Sequence, residues 1–239
     1  MVSNNQRKQI LQLKQKKHRL SSGYFVAEGE KGVEEILSAS WECVFLFSTV
    51  PNLFPKTVKV NTAEMTKITH FKSPSPILGV FKFPNVKLPV ISNITIAVDG
   101  VSNPGNLGTL IRLCDWFGLS ELICSSSTVD SFNSKVVQAS MGSIVRVQCR
   151  YEKDLSTALQ DLNKPIYSAD FGGESLYSSS FPKCATIVFG SESHGISTEI
   201  DGIVNHKISI PNFRKGRGAD SLNVAIAGAI FLSEIFRGR

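Results

Sequence analysis

The sequence has little that would announce a metal, a disulfide framework or a membrane span. Its five cysteines, Cys43, Cys114, Cys124, Cys149 and Cys184, include no C-x-x-C pair, and the four histidines do not cluster with them. Neither a disulfide scaffold nor a structural zinc site is expected. The odd count and the settings LICSSS and VRVQC suit a reducing cytoplasm. The longest apolar run, NVAIAGAIFL, is too short to span a bilayer. The opening MVSNNQRKQILQLKQKK carries charge but no apolar stretch, so no signal peptide is expected. Phosphate and nucleophile signatures are missing too. Gly100, Gly105 and Gly108 lack the G-x-G-x-x-G spacing of a dinucleotide site, and RKGRGAD lacks the Walker pattern. GSESHG fails the G-x-S-x-G elbow, and Ser193 and His194, being sequence neighbours, are poorly placed for a triad. There is no internal repeat and no low-complexity tract.

What is present is enough apolar residue, 42% of 239, to build a sizeable core. The formal charge is +6 and the sequence pI about 9.1, a mild pointer to a polyanion that many basic proteins nonetheless never bind. The excess is uneven. MVSNNQRKQILQLKQKKHRL holds Arg7, Lys8, Lys14, Lys16, Lys17 and Arg19 and no acid, with a weak helical stripe at Ile10, Leu11 and Leu13. YFVAEG reads as a strand, EKGVEEILSA as a helix with Val33, Ile36 and Leu37 on one face, ECVFLFST and VKVNT as strands, AEMTKITHF as a helix, and KSPSPILGVFKF as a turn and strand. FPNVKLPVISN, with its prolines and no period, reads as a linker over 83–93, between units at 1–82 and 94–239.

Beyond the linker, strands and helices alternate. ITIAVDGV, ELICSS, SIVRVQC, PIYSAD, ATIVFG and KISIP read as strands; NLGTLIRLCDWFG, SKVVQAS, LSTALQDL and SLNVAIAGAIFLSEIF read as helices. Near-continuous apolar strands separated by helices predict a parallel sheet covered on both faces. Three strand exits carry unusual loops: VDGVSNPGNLGTLIR, VFGSESHGIS and SIPNFRKGRGADSLNV. Ligands of open parallel sheets bind beyond the carboxyl ends of the strands, so these loops predict one shared site.

The three loops resemble, in order, the signature motifs of the SpoU (TrmH) family of RNA ribose 2′-O-methyltransferases, within the SPOUT superfamily. The first is Asn106-x-Gly108-x-x-x-Arg112; the second, IVFGSESHGIS, holds Gly190, Glu192 and Gly195; the third joins ISIP to SLNVAIA, with Pro211, Ser221 and Asn223. SKVVQASMGSIVRV matches the family's middle segment, and the resemblance runs over about residues 94–236. More loosely, LKQKKHRLSSGYFVAEGEKGVEEIL resembles the small α/β RNA-binding domain that precedes many ribosomal-RNA members.

The resemblance implies an α/β fold whose parallel sheet ends in a C-terminal trefoil knot, a homodimer, and S-adenosylmethionine as cofactor, with no metal. It places the cofactor among Gly190, Glu192, Gly195, Ile210, Pro211, Leu222 and Asn223, and catalysis on Arg112, Asn106, Glu192, Ser221 and Asn223. Arg112 matches the family's proposed general base. An arginine is effectively always protonated, so a clamp on the neighbouring phosphate is the alternative role. Asn106 would position Arg112 or the ribose, and could equally cap its helix; Ser221 could be the cap of the last helix. RNA contacts are expected from the basic N-terminus and from Arg214, Lys215 and Arg217 in NFRKGRGAD, a loop longer and more basic than in typical members. Ala225 stands where many members have Ser.

Blander readings stand beside these. The N-terminal charges could be a solvated face, Glu192 a surface acid and His194 a loop residue, while Trp41, Trp116 and the phenylalanines are expected in the core. The function this reading favours is methylation of a ribose 2′-hydroxyl in RNA, with ribosomal RNA preferred on the strength of the extra N-terminal unit. Transfer-RNA ribose methylation and a non-catalytic RNA-binding or ribosome-assembly role are the alternatives.

Overall fold

The structure, a computed structural model, describes residues 1–85, 92–214 and 221–237. Packing divides the chain into Met1–Lys87 with Asp130–Val145, and Leu88–Val129 with Arg146–Arg239.

The first unit contains α1 (Asn4–Gln12), α2 (Lys16–Ser22), β1 (Tyr24–Glu28), α3 (Glu30–Ser38), β2 (Cys43–Ser48), β3 (Val58–Lys59), α4 (Thr62–Ile68) and β4 (Ile77–Lys82). The strands form one sheet in the order β1-β4-β2-β3, antiparallel except for the β2–β3 pair. Strand side chains alternate between faces. Val26, Leu78 and Val80 therefore pack with Ile10, Leu13, Met65 and Ile68 of the α1 and α4 side. Phe25, Ala27, Ile77 and Phe81 pack on the opposite face with Val33 and Ile36 of α3. Both faces are covered, which is why YFVAE is apolar at consecutive positions rather than at alternate ones. Ser3 and Asn61 cap α1 and α4 with reciprocal side-chain bonds to Gln6 and Glu64.

Residues 130–145 pack with the first unit. Val137 and Ile144 join the core of Phe25 and Ile36, and Phe132 stacks on Phe83 and packs against Phe25. Arg19 completes the attachment. Its Nε and Nη2 both donate to Asp130 Oδ2, at 2.8 and 2.6 Å, while Nη1 donates to the carbonyls of Leu13 and Lys14.

The second unit contains β5 (Ile94–Val98), α5 (Pro104–Trp116), β6 (Glu121–Ser125), β7 (Gln148–Glu152), α7 (Leu155–Gln160), β8 (Ile166–Ser175), β9 (Ala185–Phe189), α8 (Thr198–Asp201), β10 (His206–Ser209) and α9 (Val224–Phe236); α6 (Ser134–Ala139) lies between β6 and β7 in the chain and packs with the first unit. Its six strands, in the order β10-β8-β9-β5-β6-β7, are parallel throughout. Central β5 and β9 are buried along their whole length, as their unbroken apolar sequences require. On one face Ala97, Ile123 and Val188 meet Leu155 and Leu159 of α7 and Ile200 of α8. On the other, α9 lies against β9 and α5. Phe189 meets Phe231 edge-on at 5.5 Å, and a Cβ on Gly228 would stand 2.8 Å from Leu110, so glycine there lets α5 and α9 approach closely.

Three expectations are corrected. SIVRVQC is not one strand: Ser143–Val145 is a 3-10 turn following Met141 and Gly142, both at positive φ, and the strand begins at Gln148. The last helix starts at Val224, three residues later than SLNVAIAG suggested. Trp116 is not core; it ends α5 with 82% of its surface exposed.

Candidate active site

All six strands of the second unit point the same way, so the three loops noted in the sequence emerge at one edge of the sheet. At the exit of β5, Gly100 turns the chain at φ +71, and buried Asp99 accepts a hydrogen bond from the Ser197 amide at 2.8 Å. That bond ties the β5 exit to the β9 exit. Asn103 is then the N-cap of α5, its side chain accepting from the amides of Gly105 and Asn106, with Pro104 at the first helical position. The cap considered for Asn106 is thus provided by Asn103, which leaves the Asn106 side chain free for another task.

Asn223 fixes that task. Its Oδ1 caps α9 by accepting from the amides of Ala225 and Ile226 at 2.9 and 3.3 Å; the cap considered for Ser221 is therefore Asn223. With its oxygen committed, Asn223 must use Nδ2 as a donor, and it donates to Asn106 Oδ1 at 2.9 Å. Asn106 in turn has only its own Nδ2 left, and that donates to Glu192 Oε1. The direction of each bond follows from the one before. A relay from the α9 N-terminus through two amides thus holds the exposed Glu192 carboxylate and leaves Oε2 unused among the described residues.

The β9 exit is a tight loop. Ser191 and Gly195 exchange backbone hydrogen bonds of 2.9 Å in both directions, and Gly195 sits at φ +68. A Cβ on Gly190 would collide with the backbone of Gly195 and Ile196, so only glycine allows the loop to fold back on its own strand. At the tip, Ser193 Oγ and His194 Nδ1 are 2.7 Å apart despite being sequence neighbours. Both are exposed, and no carboxylate bonds His194 among the described residues.

Beside these loops lies a cavity of about 690 Å³. Phe189, Ile208, Val224, Ala227 and Phe231 give it an apolar floor, and Gly190 through Ile196, Ser209 through Arg214, Ser221 and Leu222 form the rest, together with Ala169, Asp170 and Phe171. The volume suits a small molecule of cofactor size. An apolar floor with exposed backbone on two loops fits an adenosine, and the Glu192 carboxylate at the wall suits a cationic group. Of the expected cofactor residues, Gly190, Glu192, Gly195, Ile210, Pro211 and Leu222 line this cavity, while Asn223 stands behind Glu192 in the relay. Ser221 lines it as well.

Arg112 stands apart. It is exposed on α5, does not line the cavity, and has no hydrogen bond or ion pair among the described residues. Arg214 lines the cavity; Lys215 and Arg217 lie outside the described residues. On the first unit Arg7, Lys8, Lys14, Lys16 and Lys17 are exposed, but Arg19 is 2% exposed in its pair with Asp130 and cannot face RNA there. The basic run misled because Arg19 falls on the inner side of α2.

Sequence reasoning missed two contributors. One is the pair Asp99 and Asn103, whose only signal was the polar DG and NP steps at a strand exit. The other is the stretch Ala169–Gly173, where β8 departs from β10. Ser168 is in register with Lys207, yet Glu174 is in register with the next residue, Ile208. Gly172 takes φ +77, and a Cβ on Gly173 would meet the Lys207 carbonyl. The paired glycines of DFGG, directly after an apolar strand, were the available sign.

Known proteins are similar to this chain over most of its length. A family model described as the SpoU rRNA Methylase family matches residues 93–233, and one described as an MRM3-like substrate binding domain matches residues 4–79. The chain is 25% identical over 243 residues to the 23S rRNA (guanosine(2553)-2'-O)-methyltransferase RlmP of Bacillus subtilis, covering 97% of this chain and 96% of that protein. An rRNA methyltransferase from Sinorhizobium meliloti, solved with S-adenosylmethionine bound, superposes with a TM-score of 0.84 at 30% identity, over 99% of this chain and 96% of that one. A TrmH-family protein of Porphyromonas gingivalis gives a TM-score of 0.87 at 35% identity over the whole of both chains. Three strand-exit motifs, the relay that joins them and a family match across the second unit lead to one assignment: the chain belongs to the SpoU rRNA methylase family.

Proposed function

We propose that this protein methylates a ribose 2′-hydroxyl of ribosomal RNA, with S-adenosylmethionine held in the cavity beside Glu192. The observation that carries this reading is the relay Asn223–Asn106–Glu192, which joins all three motif loops and aims a carboxylate at the cavity. A protein that only bound RNA would not need a carboxylate held by two oriented amides at the wall of a cofactor-sized pocket. The bound cofactor supplies a methyl group on a cationic sulfur. Everything else falls to the protein: it must hold the hydroxyl in line, accept or share its proton, and exclude water. Glu192 Oε2 is the acceptor available for that hydroxyl, and the Gly190–Gly195 loop supplies close backbone approach.

Arg112 keeps its proton under all ordinary conditions, which favours a grip on an RNA phosphate over the role of base. Its place on α5 also bears on assembly. Trp116 and Ile226, on the packed helices α5 and α9, are 82% and 54% exposed. A second copy covering this face would form the expected homodimer and set Arg112 in the contact. Glu192 itself lies on the cavity side, so the two halves of the site would be joined by dimerisation. The exposed Arg7, Lys8, Lys14, Lys16 and Lys17 on the first unit supply a surface for RNA phosphates. Among the described residues no helix is long and apolar enough to cross a membrane, and no three metal-ligating side chains cluster.

The test is methyl transfer from labelled S-adenosylmethionine to unmodified transcripts of ribosomal and transfer RNA, followed by alkaline digestion, which cannot cleave beside a 2′-O-methyl ribose. Label in an alkali-resistant dinucleotide from ribosomal RNA is the expected result. Label confined to transfer RNA would replace the substrate; cofactor binding with no label in either RNA would point to an assembly intermediate as substrate, and tight RNA binding without cofactor binding would favour the non-catalytic role. Arg112→Ala should lose transfer; full activity in that variant removes Arg112 from the mechanism.

A further inference from the structure

Two large aromatic side chains line the cavity and yet face solvent: Phe171 is 71% exposed and Phe213 is 83% exposed. A single exposed phenylalanine needs no explanation, but two on one cavity do. Phe171 is presented by the break in the β8–β10 register, with Gly172 at positive φ on one side and Gly173 pressed against the β10 backbone. Phe213 sits at the apex of a turn closed by a 2.9 Å hydrogen bond from the Arg214 amide to Asn212 Oδ1. The β8 segment spends special backbone geometry on presenting Phe171, and the Asn212 turn presents Phe213. Arg214, next to Phe213, adds a cation at the same rim.

Flat rings beside a cation are what an unpaired nucleobase and its phosphate require. Proteins that hold single-stranded RNA stack bases on exposed aromatics, and the contact tolerates any base because every base has a π-face. A 2′-hydroxyl can enter a cavity only if its nucleotide leaves its neighbours, so the departing base needs a surface to replace the stacking it loses. We propose that Phe171 and Phe213 form an aromatic platform at the rim of the cavity that receives an unstacked base of the RNA substrate, with Arg214 against the adjoining phosphate. The proposal rests on the RNA-methylation reading of this same cavity and adds the residues that would seat the nucleotide.

The experiment compares the wild type with Phe171→Ala, Phe213→Ala and Phe213→Trp in two assays. In the first, methyl transfer to an unmodified in vitro transcript of ribosomal RNA is followed as a function of RNA concentration, with S-adenosylmethionine affinity measured separately by calorimetry. Each alanine variant should raise the KM for RNA by about fivefold to a hundredfold, the size of one lost base–aromatic stack, with cofactor affinity unchanged. Phe213→Trp should restore it. In the second, a single-stranded oligouridine carrying one 2-aminopurine is bound, and its fluorescence should be quenched by the wild type and by Phe213→Trp but less by the alanine variants. This assay needs no turnover. Aromatic-dependent quenching without any methyl transfer would leave the platform standing and remove the methylation reading.

Three results overturn the platform. One is unchanged KM and unchanged quenching in both alanine variants. Another is a loss of cofactor affinity that accounts for the whole effect, which would make the rings part of the adenosine slot. The last is conversion of the alanine variants to a smaller species in sedimentation, which would make them cover for a second copy.

Discussion

Replacing Asp130 by alanine tests whether residues 130–145 are a structural part of the first unit. The Arg19 and Asp130 side chains are only 3% and 10% exposed. Four of the five guanidinium N–H groups are used: two on Asp130 Oδ2 and two on the carbonyls of Leu13 and Lys14. Asp130→Ala strips two of these partners and leaves a buried cation without its counter-charge, a change that costs about 3–5 kcal/mol. It also frees the Phe132 amide, which Asp130 Oδ1 accepts at 3.1 Å. With a urea dependence of about 1–3 kcal/mol per molar for a unit of this size, the midpoint should fall by at least about 1 M, and by about 2 M at mid-range values. Trp41 reports on this unit, since it packs on Phe25 and Phe132 at ring separations of 6.0 and 6.4 Å. The only other tryptophan, Trp116, is exposed, so a Trp116→Phe background isolates the signal. Asp130→Asn retains an acceptor and should fall between wild type and alanine. The double change Arg19→Met with Asp130→Leu removes both charges and should recover most of the loss. An unchanged midpoint in Asp130→Ala, or a double variant as weak as the single one, would refute the account of a buried pair anchoring this segment.

Three further outcomes follow from single atoms. Asn223→Asp keeps the oxygen that caps α9 but loses the donor to Asn106, so the melting temperature should hold while methyl transfer drops at least tenfold; equal losses in Asn223→Asp and Asn223→Ala would reduce the residue to a cap. Gly190→Val sets a side chain into the Gly195–Ile196 backbone and should abolish S-adenosylmethionine binding in calorimetry, whereas retained affinity would show the cofactor lies elsewhere. His70 makes the stability of the first unit pH-dependent. Burial, with Lys14 and Arg19 nearby, drives its imidazole down to about 4 from 6.5, against a raising bond to the Ile10 carbonyl. The folded state therefore takes up its proton later than the unfolded chain, and stability present above pH 6.5 is lost as the pH falls toward 4, by on the order of 2 kcal/mol allowing for partial exposure. Neighbouring Glu28, raised by burial, contributes with the opposite sign, its stabilisation full below 4.5 and lost as pH climbs through its folded value. His70→Gln should flatten the acid slope of the Trp41 midpoint; an identical slope in both proteins would exclude His70 as its source.

What the sequence made legible was local chemistry. ITIAV and ATIVF announced buried parallel strands because a strand covered on both faces has no polar position to spare, and the structure buries both throughout. The glycines of GSESHG could be read as a site because a loop folded back on its own strand has room for nothing else at Gly190. What was not legible depended on partners far along the chain. Arg19 looked like one more cation in a basic run because its acid lies 111 residues away. Nothing in the pattern of SKVVQAS says that Val137 will enter the core of Phe25 and Ile36. Asn106 and Asn103 are the same residue type three positions apart, and either could cap α5. The amides of Gly105 and Asn106 settle the cap on Asn103, and the satisfaction of Asn223 then gives Asn106 its role, since an amide whose oxygen is committed to a helix cap must donate, which forces Asn106 to accept from it and to donate in turn to Glu192. The motif lists Asn106, Glu192 and Asn223 as separate residues. The fold makes them one device with a direction, and that direction ends on the carboxylate rather than on Arg112.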